Sequence, residues 1–186
     1  MRSIKCLMAA AAFSVLAAGA AQAEDKGVAV DCADLDMAIK APDFEVTCKD
    51  YSSVVSTSSL GRLHAELLTA VSEKQGQVIG IWDIRTLGNT YLQKGGLEGD
   101  IRSFFSDEEL SEWHSAEPVA GFELAHYANR QSGGNEEECI AFRRQMTRRS
   151  GGGVSGFARM VLGFGCTVNS RDALIETLKQ IDAPGG

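Results

Sequence analysis

Past its first two dozen residues the chain has no long apolar run. A membrane-spanning helix needs about 20 consecutive apolar residues, so none is expected in residues 24–186. There is no C-x-x-C and no H-E-x-x-H, and the three histidines, His64, His114 and His126, stand far from the cysteines. The ligand spacings of a zinc site are therefore missing, and neither a metal nor a cofactor is expected. A nucleophile elbow, G-x-S-x-G, is missing too: the nearest match, Gly153-Val154-Ser155-Gly156-Phe157, ends in phenylalanine. No internal repeat and no interdomain linker is found. Basic residues are outnumbered, with 18 Lys and Arg against 25 Asp and Glu for a formal charge of −7, which argues against nucleic-acid binding. Yet no Asp or Glu lies between Cys139 and Arg171.

What is present begins with a leader. Arg2 and Lys5 precede an apolar, alanine-rich stretch that ends in Ala21-Gln22-Ala23. That pattern predicts a cleaved, bacterial-type secretory signal peptide over 1–23 and a periplasmic or secreted mature chain over 24–186. Cleavage removes two cations and Cys6, leaving Cys32, Cys48, Cys139 and Cys166. Four cysteines in an oxidising compartment predict two disulfides. Of the three possible pairings, the local one, Cys32–Cys48 with Cys139–Cys166, brackets two compact units and is the one expected.

Periodicity predicts a mixture of strands and helices. Alternation marks strands at 44–48 and 121–129, and residues 77–86 are apolar on both faces, as in a central strand. Leu60, Leu63, Leu67, Leu68 and Val71 fit one buried helical stripe, so a helix is predicted there, with His64 on the stripe as a partly buried, hydrogen-bonded histidine. Ser106 and Glu109 form a capping box that predicts a short helix through Trp113. A last helix carries Leu174, Ile175, Leu178 and Ile181 on one face. Residues 94–100, with three glycines, read as an exposed loop. The expectation is a single α+β domain: a mainly antiparallel sheet with two to three helices packed on one face and two disulfides.

The region 139–166 draws these readings together. Two apolar runs flank a glycine-rich joint, a cysteine stands at each outer end, and Gly163 and Gly165 fall opposite Phe142 and Ile140 if the cysteines pair. Residues 151–156 match G-x-G-x-x-G, but a dinucleotide site requires a helix directly afterwards, whereas the residues that follow look like a strand. A disulfide-stapled hairpin is predicted instead, with Arg143, Arg144, Arg148, Arg149 and Arg159 as candidate ligands for an anionic partner through bidentate guanidinium contacts. The sequence therefore favours a non-enzymatic exported binding protein whose partner is a protein or an anionic envelope component. A cell-envelope hydrolase with scattered site residues, and an acidic inhibitor of a basic enzyme, are the alternatives. No catalytic residue is assigned, and no activity is expected to depend on the histidines.

Overall fold

The computed structural model of the chain describes residues 27–52, 63–87, 91–93, 95–104, 110–130, 136–151 and 154–183. The leader 1–23, the glycine pair 152–153 and the capping residues 106–109 lie outside them. The described chain is built mainly from strands: β1 (Val28–Val30), β2 (Ala38–Ile39), β3 (Glu45–Asp50), β4 (Leu63–Ser72), β5 (Gln77–Thr86), β6 (Leu92–Gln93), β7 (Leu110–Val119), β8 (Phe122–Arg130), β9 (Glu136–Gly151), β10 (Val154–Thr167) and β11 (Ile181–Asp182). Two eight-residue helices, α1 (Leu97–Phe104) and α2 (Arg171–Leu178), complete it with one 3-10 turn, Cys32–Asp34, capped by the Asp31 carboxylate. No helix among the described residues is long and apolar enough to cross a membrane.

Nine strands form one sheet in the order β1-β3-β4-β5-β10-β9-β8-β7, with β6 pairing the far end of β10. Every neighbouring pair is antiparallel. Two meanders, β3-β4-β5 and β7-β8-β9-β10, meet where β5 pairs β10 from Gln77↔Thr167 to Arg85↔Arg159. A second, two-stranded sheet joins β2 to β11.

Because side chains alternate along a strand, this register sorts the core onto two faces. One face carries Leu68, Ala70, Ile79, Ile81, Phe122, Leu124, Ile140, Phe142 and Val161, covered by Met37, by Leu174 and Leu178 of α2 and by Ile181. The other carries Ala65, Ile84, Ala125, Tyr127, Ala141, Met160 and Leu162, covered by Leu97 and Ile101 of α1. The fold is thus mainly β, and the expected α+β arrangement with helices on one face is corrected on two counts. Among the described residues the helices are two and short within a mainly strand chain, and they lie on opposite faces.

The physical reason is visible in β4. Its Leu63 and Ala65 bury against one face and its Leu68 and Ala70 against the other. A strand buried on both sides loses the period-2 pattern, and the leucines at 60–71 imitate a helical stripe. The helix predicted through Trp113 is likewise strand β7, whose alternation is broken by register shifts and by Glu112 at φ 54°. Conversely α1 occupies the stretch read as a glycine-rich loop. Leu97 and Ile101, one turn apart, are buried, and Arg102 pairs with Glu98 across the next turn.

Other elements match the expectations. The strand over 77–86 is β5, in the middle of the sheet. The final helix begins after Ser170 and buries Leu174 and Leu178, but it ends at Leu178, and Ile181, expected on its face, belongs to strand β11 instead. Cys32–Cys48 and Cys139–Cys166 are bonded, and Cys139 stands directly opposite Cys166 in the β9–β10 ladder. Paired cysteines fit an oxidising compartment. That ladder continues to Gly151↔Val154, so the joint is tighter than the sequence suggested. Gly163 pairs with Phe142, and a Cβ at Gly163 would overlap the Phe142 ring. The absent side chain lets the ring lie over the backbone, a packing role.

Candidate functional site

The pleat distributes the five arginines rather than gathering them. Arg143 points to the α1 face and is only 4 % exposed in its side chain. Its Nε and Nη2 donate to Glu123 at 3.1 and 2.5 Å, and its Nη1 donates to the Gly95 carbonyl at 2.9 Å and to Asp100. It clamps α1 and the residues before it onto β8 and β9. Arg144, one residue on, points to the α2 face. Its guanidinium carbon sits 4.0 Å from the centre of the Phe122 ring, and it donates to the carbonyls of Ala183 and Ala120. Burial draws its pKa below the ordinary guanidinium value.

Arg159, on β10, donates through Nε to Asp83 Oδ1 at 2.8 Å and through Nη2 to Asp83 Oδ2, and reaches Asp36 at 3.3 Å. Burial lowers its pKa, but the hydrogen bond and charge of Asp83, with Asp36 behind them, outweigh burial and raise it. Arg148 is exposed near the hairpin tip, opposite Phe157. The backbone of Arg149 pairs with Gly156, and its side chain lies outside the described residues. Arg143, Arg144 and Arg159 are therefore committed to contacts inside the protein, and of the five arginines Arg148 is the one whose described side chain is exposed.

The largest polar assembly among the described residues lies on the α2 face and centres on Asp83, whose side chain is fully buried. Register places Glu66 beside Asp83, His64 beside Arg85, and Arg159 beside Arg85 on the other flank. All point the same way because they sit at matching positions on β4, β5 and β10. Arg85 Nη2 donates to Asp83 Oδ2 at 2.6 Å and to Glu66 Oε2 at 2.9 Å, and lies 3.2 Å from Asp36.

From Glu66 the assembly runs outward. His64 Nε2 is 3.0 Å from Glu66 Oε1, and His64 Nδ1 is 2.5 Å from Ser52 Oγ. Ser52 stands where the β3–β4 ladder ends: Tyr51 N–H donates to the Ala65 carbonyl at 2.8 Å, and Ser52 Oγ accepts the Ala65 N–H at 3.3 Å. Asp50 Oδ1 accepts the Ser52 N–H at 2.7 Å. Burial pushes the Asp50 pKa up, but the hydrogen bonds from Ser52 and the charge of His64 more than offset it and leave the group below its ordinary value.

His114 and His126 face each other across β7 and β8. His126 Nε2 is buried without a hydrogen-bond partner. Burial, then the nearby charge of Arg171, lowers the His126 pKa. Glu137, Cys139 and Cys166 are the grouping of potential metal ligands among the described residues, but both sulfurs are used in the disulfide. They offer no thiolates to a metal.

Sequence reasoning missed Ser52, Glu66, Asp83 and Arg85. The available signal was local: in a strand, His64 and Glu66 share a face, and so do Asp83 and Arg85. Reading 60–71 as a helix hid the first pair. No family model, curated protein or solved structure matches the chain.

Proposed function

We propose that the chain is an exported, disulfide-stapled binding protein that presents the hairpin tip, Arg148 and Arg149, to an anionic component of the cell envelope. Three features support the reading. The leader over 1–23 has the pattern of a secretory signal. Two disulfides suit an oxidising compartment. The exposure of Arg148 carries the reading, because no carboxylate among the described residues pairs with it. Around the tip the acid-free stretch between Cys139 and Arg171 removes local repulsion of an anion, although the protein as a whole is acidic.

Charge reversal at the tip tests this. Arg148→Glu with Arg149→Glu should abolish retention on vesicles of anionic phospholipid, and retention of the unaltered protein should fall as salt is added. Equal retention of both proteins would remove the role of the tip; a protein partner would then be sought by crosslinking from the same positions. The inhibitor alternative rests on net charge alone. The hydrolase alternative gains one observation, the Ser52–His64–Glu66 chain.

A further inference from the structure

The outward end of the α2-face assembly carries an assignment independent of the hairpin tip. Its hydrogen bonds place a hydroxyl against one ring nitrogen of His64 and a carboxylate against the other. Ser52 Oγ has one proton, and it already accepts the Ala65 N–H. In the neutral tautomer that leaves Nδ1 unprotonated, Ser52 Oγ donates its proton to His64 Nδ1 across 2.5 Å. The ring proton then sits on Nε2, where Glu66 Oε1 accepts it at 3.0 Å. Arg85 holds the second oxygen of Glu66 at 2.9 Å and is itself anchored on buried Asp83. A hydroxyl, a base within hydrogen-bond reach and a carboxylate orienting the base form the general pattern of an activated nucleophile. The two ring nitrogens are used in the reverse of the usual order. Both ring nitrogens can serve, since Nδ1 and Nε2 each accept a proton when the other carries one.

We infer that Ser52 is a nucleophile toward acyl esters, with His64 as its base and Glu66 as the residue that positions the ring. In the acylation step the Ser52 Oγ–carbonyl carbon bond forms as the hydroxyl proton passes to His64 Nδ1. The bond to the alkoxy oxygen then breaks, and the alcohol leaves with that proton. Water repeats the sequence on the acyl-serine, releasing the carboxylic acid and restoring Ser52. The Nε2 proton stays against Glu66 throughout.

Surrounding charge selects the ester. Four carboxylates, Asp36, Asp50, Glu66 and Asp83, stand against two guanidinium groups, Arg85 and Arg159, in this assembly. An uncharged or cationic acyl ester is favoured over an anionic one. Ser52 is half-buried, and the His64 side chain is 28 % exposed, so the reacting pair is within reach of solvent.

A fluorophosphonate probe tests the assignment on the disulfide-bonded protein, because its P–F bond breaks as the Oγ–P bond forms. Peptide mapping should place one adduct on Ser52, and none should form on heat-denatured protein. Ser52→Ala should remove the adduct, and His64→Gln should slow its formation at least about tenfold with an unchanged melting temperature. A serine that only braces the end of the ladder would give no adduct above the denatured control. That result, an adduct on another residue, or an equal rate in His64→Gln overturns the inference. The mapping on unaltered protein decides the matter even where a variant fails to fold.

Discussion

Two charged assemblies lie back to back across the sheet, and they end differently. On the α1 face all three guanidinium nitrogens of Arg143 donate to Glu123, Asp100 or the Gly95 carbonyl. That assembly is closed, and it joins α1 to the sheet. On the α2 face Asp83 pairs with both Arg85 and Arg159, but the chain of contacts continues through Glu66 and His64 to the Ser52 hydroxyl. That assembly is open. The comparison teaches that a buried arginine is weak grounds for a ligand site. Desolvation of ions is costly, so the sheet compensates buried charge internally, and what remains for function is the group at which a network leaves the core.

The largest expected effect comes from breaking the open assembly at its root. Asp83→Ala would leave Arg85 and Arg159 facing one another without their shared carboxylate. It should cost about 3–5 kcal/mol, read as a lower midpoint in urea denaturation; a change below about 1 kcal/mol would mean the assembly is solvent-relaxed. Breaking the closed assembly should cost less. Arg143→Met removes one cation but leaves Glu123 with access to water, for a loss of about 1–3 kcal/mol and faster hydrogen exchange in α1. Unaltered exchange there would show that α1 is held by Leu97 and Ile101 alone.

His126 sharpens the comparison, because it is polar, partly buried on the α2 face and part of neither assembly. Its pKa is below the ordinary 6.5, since burial disfavours the charged ring. The unfolded chain therefore binds a proton that the folded chain does not, so this group's stability is full above pH 6.5 and is lost as pH falls through the folded value. His126→Phe should flatten the stability profile on the acid side of 6.5; a profile as steep as before would assign the slope to other groups. The smallest effect on stability belongs to the tip: Arg148→Glu with Arg149→Glu should stay within about 0.5 kcal/mol of the unaltered protein.

Local patterns made part of this structure legible. Strand β5 could be read because both its faces are apolar, and the staple because cysteines flank two apolar runs at equal distance from the glycines. The same symmetry gives the pairing of Gly163 with Phe142. Long-range features were not legible. Asp83 meets Arg159 only because β5 pairs β10, and Ser52 meets His64 only because β3 runs into β4. The five arginines look like one cluster in sequence, but the pleat sends Arg143 and Arg144 to opposite faces. Helix α1 was hidden by Gly99 and the neighbouring Gly95 and Gly96, with only Leu97 and Ile101 to mark its buried side.

The contrast between an open and a closed assembly is tested most directly by two matched variants. Glu66→Gln and Glu123→Gln each remove one carboxylate charge beside an arginine, one in each assembly. The rate of phosphonylation at Ser52 is measured for both. Glu66→Gln should slow it by at least about tenfold, because the His64 ring loses its charged anchor, whereas Glu123→Gln should leave the rate unchanged while lowering the melting temperature. Equal rates in the two variants would contradict the account, and both assemblies would then be structural.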